Sequence, residues 1–316
     1  MTRLIAVAAT VLALAVPAAP RAERAPEAAA LALTNGQRHH YTIGARVRPL
    51  LFWMGKDDVG DAVVARKRDN DAASYALLIG SDPERTPRGI NRWGYLAEEV
   101  HGAEASVVGL MTESNEQSVA QAEKNTSANG DRTFNVIQAY VTDTTARSVV
   151  TSVAAPSTLT LRQVDTVLAL AASKGVDGEP RVVRLPSGGR PGFLSALADA
   201  LHEQAAAVRS TGKVLTTEPI AFVYHGKVYQ LRTTHSRLIG SARIGENKYD
   251  HLVGSQFQIL NTGTGDVSEF SMTYAVDGPL AELPISVTYQ PRWWMEIRLT
   301  LDDSKPGPLP PARVSR

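Results

Sequence analysis

Cysteine is absent from all 316 residues of the chain. Its absence excludes disulfide bonds, thiol catalysis and thiolate metal sites, and it excludes the lipid-modified cysteine that tethers a bacterial lipoprotein. The fold must therefore be held together by an ordinary hydrophobic core. The length of the chain is sufficient for one large domain or for two smaller ones.

An excess of charge of either sign is also lacking, because 33 Lys and Arg residues stand against 32 Asp and Glu residues. A nearly neutral chain has no long-range electrostatic field that would attract nucleic acid or an anionic membrane surface. We therefore expect no nucleic-acid partner.

The common catalytic motifs are missing as well. The seven histidines are scattered, without the His-Glu-x-x-His spacing of a zinc site, and no Gly-x-Ser-x-Gly segment occurs. The segment Ser187–Gly192 precedes a predicted helix, so its backbone amides could meet an anion, but it lacks the Gly-Lys-Ser/Thr ending of a phosphate-binding loop. A flexible connection is the favoured interpretation there. We predict no catalytic residue, metal site or cofactor; enzymatic activity is left open and is not favoured.

A long hydrophobic run occurs only at the N-terminus. Arg3 precedes the apolar residues 4–16, and small residues follow Val16. The run has about 13 residues, which suits a secretory signal peptide and is shorter than the roughly 20 residues of a membrane-spanning helix. We therefore predict a signal peptide over residues 1–22, no transmembrane segment after its cleavage, and an exported protein that is periplasmic or secreted. The alternative is an uncleaved N-terminal anchor.

The rest of the chain divides by its hydrophobic pattern. Alternation of apolar and polar residues, typical of strands with one buried face, begins near His40 and returns after residue 214. Between these stretches, a capping-box pair, Thr160 and Gln163, marks the start of one helix, and residues 191–209 form a second. The predicted segments are a flexible leader (23–38), an N-terminal β-rich region (39–154), a helical segment (155–213), a C-terminal antiparallel β-meander (214–302) and a disordered proline-rich tail (303–316).

Near the end of the chain, Gly278–Ile285 reads GPLAELPI and Tyr289–Trp294 reads YQPRWW. These segments resemble the last strands of exported bacterial domain-of-unknown-function proteins, over residues 215–302. The resemblance implies an exported role and a curved sheet similar to lipoprotein-carrier or lipocalin half-barrels, and it brings no catalytic residues. With the pattern above, the expected fold is α+β and β-dominated, with curved antiparallel sheets (half-barrel or barrel-like) and two packed helices. Whether the two β-rich regions form one sheet system or two domains is left open.

The segment Phe52–Asp61, FWMGKDDVGD, carries three aspartates within five residues. Such a cluster could bind Ca²⁺, but its spacing does not match an EF-hand loop. The favoured interpretation is a polar turn over Gly55–Gly60, between a strand that ends at Trp53 and one that starts near Ala62. This turn would lie on the rim of a pocket.

Arginine and tryptophan occur together at two places. Residues 91–93 read Asn-Arg-Trp after a loop rich in proline and arginine, and the last strands carry Arg292 and Trp294. A guanidinium forms a planar fork for a carboxylate or phosphate, and a tryptophan on a partly polar face lines a pocket or stacks on an arginine. The alternatives are a surface loop pinned by a buried Trp93 and a surface stack on Arg298. The predicted ligand-binding residues are Trp53, Asn91, Arg92, Trp93, Arg292, Trp294 and Arg298.

These features predict an exported, non-catalytic binding or carrier protein for a small amphipathic ligand, with the concave side of a curved sheet covered by the two helices. A cell-envelope interaction or scaffolding protein, which would have an envelope protein as its partner, is the first alternative. A secreted hydrolase that uses carboxylates such as Asp57, Asp58 and Asp61 is the second. The ligand, the oligomeric state and the position of signal cleavage are left open.

Overall fold

The structure is a computed structural model that describes residues 37–47, 54–86, 89–112, 130–215, 217–244, 246–292 and 295–302. The predicted signal peptide, most of the predicted leader, the predicted tail, Trp53 and Trp294 lie outside these residues. The elements are, in chain order, β1 (Gln37–Val47), β2 (Met54–Arg68), β3 (Ala72–Ser81), β4 (Trp93–His101), β5 (Glu104–Thr112), β6 (Asp131–Val141), β7 (Thr145–Pro156), α1 (Val164–Lys174), β8 (Val176–Asp177), β9 (Arg181–Arg184), α2 (Phe193–Thr211), β10 (Ile220–Tyr224), β11 (Lys227–Ile244), β12 (Asn247–Asn261), β13 (Val267–Ala275), β14 (Pro284–Arg292) and β15 (Met295–Leu301).

The described strands form one antiparallel sheet in the order β10-β11-β12-β13-β14-β15-β1-β2-β3-β4-β5-β6-β7-β8, and β9 also pairs with β7. Strand β1 joins the two β-rich regions, because Tyr41 pairs with Leu301 of β15 on one side and with Ala62 of β2 on the other. The sheet is curved and does not close on itself. The prediction of a β-dominated fold with a curved antiparallel sheet and two helices from the middle of the chain is therefore confirmed.

Irregular strand pairing accompanies the curvature of the sheet. The register shifts within the β11–β12, β13–β14 and β14–β15 ladders, and such bulges bend a strand and increase its local twist. The far half of the β11–β12 hairpin consequently packs over β1, β2 and β15. Ile239 and Ala242 of this half contact a core cluster that includes Tyr41, Leu252 and Ile285.

Helix α1 covers one face of strands β2 to β7. The side chain of Gln163 accepts a hydrogen bond from the backbone N–H of Thr160 at 2.8 Å, as the capping pattern predicts. A single 3₁₀ turn (Leu161–Gln163) then leads into the helix. The backbone N–H of Gly175, which donates to the carbonyl of Ala171, marks its end. The buried cluster between helix and strands contains Leu78, Trp93, Tyr95, Leu110, Phe134, Val153, Leu161, Val164, Val167, Leu168 and Ala171.

Helix α2 packs on strands β10 to β14. Its innermost residues are small: Ala196, Ala200 and Ala205 are each at most 1% exposed, so the helix backbone lies close to the sheet. They contact the aromatic and aliphatic cluster of Phe222, Leu231, Val253, Phe257, Met272 and Tyr274. Several larger apolar side chains of the helix, Phe193, Leu197 and Val208, are only partly buried, whereas Leu201 is buried. Among the described residues, no helix has the length and apolar composition of a membrane span.

The prediction of a turn over Gly55–Gly60 is wrong. Strand β2 runs through this segment without interruption, and the segment forms a bulge in which Gly44 of β1 stands opposite residues 57–59. Asp58 adopts a φ of 58° there, a left-handed conformation that Asp tolerates better than most residues. The glycines and aspartates therefore mark a bulge in one strand, whose sequence signal resembles that of a turn.

Candidate functional site

A half-open cleft lies between the first half of α2, the end of β2, the first half of β3 and the loop that precedes β14. Its volume is about 520 Å³. We call it the α2 cleft. Its lining residues are Gln37, Val64, Ala65, Arg66, Lys67, Arg68, Tyr75, Ala76, Leu194, Leu197, Ala198, Leu201, Glu282, Leu283 and Pro284. The set combines an aliphatic wall with arginine, tyrosine and glutamate side chains.

A buried carboxylate fixes the position of α2. The side chain of Glu98 on β4 is fully buried and accepts hydrogen bonds from the backbone N–H groups of Leu194 at 2.6 Å and Ser195 at 2.8 Å. These N–H groups belong to the first turn of the helix, where they lack helical partners and where the helix dipole favours negative charge. A Cβ at Gly192 would overlap the Glu98 carboxylate. Glu98 is thus the anion that the amides after Ser187–Gly192 bind.

Burial also changes the protonation of this carboxyl group. Burial raises the pKa of Glu98 above its ordinary value, and the hydrogen bonds from Leu194 and Ser195 oppose the shift without cancelling it. Ionisation of Glu98 in the folded protein therefore carries a cost of burial that the helix terminus offsets only in part.

The aliphatic wall follows from the way in which α2 is packed. The alanines of the helix face the sheet, whereas Leu194, Leu197 and Ala198 border the cleft and remain half-buried. Val64 on the opposite side, at the end of β2, is half-buried as well. Apolar side chains on both walls are therefore incompletely covered by the described residues, which is the usual property of a ligand pocket.

Glu282 forms one end of the polar rim. Its Oε1 lies 2.9 Å from Nδ1 of His202 and accepts a hydrogen bond of 3.1 Å from Arg209, and both partners are on α2. Burial alone would raise the pKa of Glu282, but the hydrogen bonds and charges of His202 and Arg209 hold the pKa below its ordinary value. The residue adopts a φ of 62°, which is uncommon for glutamate. The ionised carboxylate thus fastens the loop before β14 to the helix.

Two arginines at the end of β2 form the other side of the rim. Arg66 is half-buried and donates a hydrogen bond to the carbonyl of Ala281 at 2.8 Å, and burial lowers its pKa despite the nearby Glu282. Arg68 lies 3.5 Å from Asp199 of α2. Asp199 also forms a close ion pair with Arg190. The rim therefore combines several guanidinium groups with few carboxylates.

Two of the residues predicted from sequence to bind a ligand are part of the core. Trp93 is 4% exposed, its indole N–H donates to the carbonyl of Leu159 at 2.9 Å, and its ring centroid lies 5.4 Å from that of Phe134. The Asn91 side chain is buried and donates to the carbonyls of Ser157 and Leu159, both at 2.9 Å. Both side chains anchor the loop before β4. This arrangement agrees with the alternative prediction for this segment, a surface loop held by a buried Trp93.

The other predicted residues are spread over the sheet. Arg92 is half-buried beside Asn91, and Arg298 is exposed on β15, 3.5 Å from Glu296. Arg292 ends β14 and pairs with Met295 in the ladder. The lining of the α2 cleft includes none of the described side chains predicted to bind a ligand, which are those of Asn91, Arg92, Trp93 and Arg298. For Trp53 and Trp294, which lie outside the described residues, ligand binding stays a prediction.

The arginines of the rim are not among the residues predicted from the sequence. A signal was present: the apolar run of β2 ends in Arg66, Lys67 and Arg68, directly before the Asp69-Asn70-Asp71 turn. Alternation along a strand places Arg66 and Arg68 on the same face as Val64. What the sequence could not show is that α2 and Glu282 meet them there.

Two of the three aspartates of FWMGKDDVGD, Asp58 and Asp61, bind a residue of the chain itself. Arg85 forms close ion pairs with Asp58 and Asp61, and its Nε lies 2.9 Å from Asp82. A second cavity of about 350 Å³ adjoins this cluster. The guanidinium thus occupies the position that a bound cation would need. Within the described part of the chain, no group of acidic residues and histidines has the arrangement of a metal site.

Comparison of the chain with protein-family models, with curated proteins and with solved structures finds no match. The geometry and the chemistry of the α2 cleft are therefore the basis for a proposed function. Those properties are an aliphatic wall, a volume in the range of small-molecule pockets of about 300–1,000 Å³, and a rim of arginines.

Proposed function

We propose that the protein is an exported, non-catalytic binding or carrier protein and that it holds a small amphipathic ligand in the α2 cleft. The observation that carries the proposal is the cleft of about 520 Å³, whose lining combines half-buried leucines with charged side chains. Such a site suits a ligand with an apolar part and a polar part, since each part meets a surface of its own kind.

The placement of the cleft supports binding without large rearrangement. One wall is helix α2, which Glu98 and its alanine face fix to the sheet, and the other wall is formed by β2 and β3. Sites on regular elements are held more precisely than sites on loops. The loop before β14 is the exception, and Glu282 fastens it to the helix.

Export is the second part of the proposal. It is supported by the apolar residues 4–16 after Arg3, which have the length and flanks of a signal peptide. Sequencing the N-terminus of the protein recovered from the periplasm or the medium tests it. A mature chain that begins after the apolar run supports export, and a full-length chain recovered from the cytoplasm contradicts it.

Native mass spectrometry of the gently purified protein, followed by organic extraction, tests ligand binding. We expect a reproducible excess of mass that extracts as one compound class. In the variant Ala198→Phe, the added ring would occupy the cleft, so we expect the excess mass to be lost. The matched control is Ala172→Phe, because Ala172 is exposed on α1 and is not part of the cleft lining. Equal excess mass in both variants would contradict the proposed site.

A role as an interaction or scaffolding protein of the cell envelope is the second candidate. It is favoured by exposed apolar residues near one end of the sheet: Val176 on β8 is 73% exposed and Val182 on β9 is 66% exposed. Sheet edges of this kind pair readily with other chains. The hydrolase alternative is not favoured, because Asp58 and Asp61 are bound to Arg85.

A further inference from the structure

We propose that the ligand of the α2 cleft is an anionic amphiphile with a single alkyl chain. Its charged group, a carboxylate or a phosphate, would lie at Arg66 and Arg68, and its chain would lie between α2 and β2. This inference rests on the proposed function. It adds the charge of the ligand and the residues that recognise that charge.

The charges of the rim are not balanced within the described residues. Its guanidinium groups belong to Arg66, Arg68, Arg190 and Arg209, and its carboxylates belong to Asp199 and Glu282. Arg190 is the closer partner of Asp199, and Arg209 hydrogen-bonds Glu282. Once these pairs are formed, the closest carboxylate contact of Arg66 or Arg68 among the described residues is the one of 3.5 Å between Arg68 and Asp199. Their other contacts are with neutral groups, the carbonyl of Ala281 for Arg66 and the hydroxyl of Tyr75 for Arg68, and Glu282 attracts both from a greater distance. The rim therefore carries excess positive charge on one side of the cleft.

Arg66 is the better placed of these two arginines. Its guanidinium has five N–H donors. Among the described residues it makes a single hydrogen bond, which it donates to the carbonyl of Ala281. Its half-buried position lowers the local dielectric constant, which strengthens attraction to an anion. A planar guanidinium also binds carboxylate or phosphate through two parallel hydrogen bonds. Arg68, two residues along the same face, extends this surface toward solvent.

The apolar part of the cleft determines the shape of the alkyl chain that the ligand can have. Leu194, Leu197 and Leu201 line it on successive turns of α2, with Val64 and Leu283 opposite. Residues three and four apart form one strip along a helix, so the wall is an extended apolar strip that suits an unbranched alkyl chain. The volume of about 520 Å³ lies in the range of single small-molecule sites, not of sites for a folded partner.

Calorimetric titration with four ligands that share a ten-carbon chain tests the inference. The probes are decanoate, decyl phosphate, decanol and decyltrimethylammonium. The charged probes are used below their micelle concentrations and decanol below its solubility limit. We expect decanoate or decyl phosphate to bind at least about tenfold more tightly than decanol, because a charge-assisted hydrogen bond is roughly twice as strong as a neutral one. The cation should bind most weakly. Comparison of the two anions tells which charged group the site prefers.

The variant Arg66→Gln tests whether Arg66 is responsible for the preference for an anion. The variant should bind the better anion no more tightly than decanol, a loss of about tenfold in affinity for that anion. Its affinity for decanol should be unchanged, and this result would show that the cleft is intact. The control Arg46→Gln removes an exposed arginine of β1 that lies 4.0 Å from Glu296, away from the cleft lining. It should keep the anion preference.

The outcomes separate the two proposals. If decanol binds but neither anion is preferred, or if Arg66→Gln retains the preference, the proposal of an anionic ligand is overturned and the proposal of an amphipathic ligand stands. If none of the four probes binds, the proposed function itself is contradicted.

Discussion

The two helices of the molecule pack on the same sheet in different ways. Helix α1 completes a continuous core in which Val167 and Leu168 are at most 2% exposed, and a neighbouring residue, Gln163, caps its start. Helix α2 approaches the sheet through alanines and is held by Glu98, a distant and fully buried carboxylate. Its leucines Leu194 and Leu197 remain half-buried beside a cleft. The difference indicates that α1 completes a core, whereas α2 leaves part of its apolar surface uncovered at the cleft that we propose as the ligand site.

The largest effect is expected from the core of α1. The variant Leu168→Ala removes a side chain that is 2% exposed, and it should lower the free energy of unfolding by about 2–5 kcal/mol because a cavity is left behind. Urea denaturation measures this loss. The matched variant Leu170→Ala, at a partly buried position on the same helix, should lose clearly less. Ligand binding by the folded protein should be unchanged in both, and a loss of binding in Leu168→Ala would contradict the separation of roles.

A smaller effect is expected where α2 meets β4. In Gly192→Ala the added methyl group would overlap the Glu98 carboxylate, so we expect a loss of about 1–3 kcal/mol from overpacking and weaker ligand binding as the helix start is displaced. A suitable control is Gly263→Ala, because a Cβ there meets only an ordinary contact at 3.5 Å. Thermal unfolding and ligand titration of both variants check this. Equal behaviour of the two would mean that the Glu98 contact does not position α2.

The smallest effect is a pH dependence that belongs to Glu98. Because its pKa is raised in the folded protein, the folded state binds more protons than the unfolded state at pH values from about 4.5 upward. The contribution of Glu98 to stability is thus fully present below the unfolded pKa and is lost as pH rises through the folded pKa. Relative to Glu98→Gln, the wild type should become less stable as pH increases over this range.

Denaturation at a series of pH values, with Glu99→Gln as the control on the other face of β4, measures this dependence. The opposite result, in which the wild type becomes more stable than Glu98→Gln as pH rises, would contradict this prediction. It would mean that the hydrogen bonds from the helix terminus lower the pKa of Glu98 by more than burial raises it.

The sequence was sufficient for features that depend on neighbouring residues. Thr160 and Gln163 marked the start of α1, and alternation marked the strands, because capping and strand periodicity are local. The single sheet was not predictable, since it depends on the pairing of Tyr41 with Leu301 at opposite ends of the chain. The pattern in Gly55–Gly60 predicts a turn where the structure has a bulge in β2, because glycine and aspartate suit both.

The site was less predictable than the fold for the same reason. The α2 cleft needs Arg66 to meet the loop carbonyl of Ala281, and it needs α2 to lie over the end of β2. Neither relation has a local signal. Trp93 was expected to bind a ligand, yet its alternation with Tyr95 and Ala97 along β4 was the available sign that it faces the core. An aromatic side chain beside an arginine is therefore insufficient to locate a pocket.

Photoaffinity labelling with a ten-carbon fatty acid that carries a diazirine in its chain tests the central claim most directly. If the ligand lies in the α2 cleft, the labelled peptides should contain residues 194–201 of α2 or residues 64–68 of β2, and unlabelled decanoate should suppress the labelling. Labelling that concentrates on β8 and β9 around Val176 and Val182, or that excess decanoate does not reduce, would contradict it.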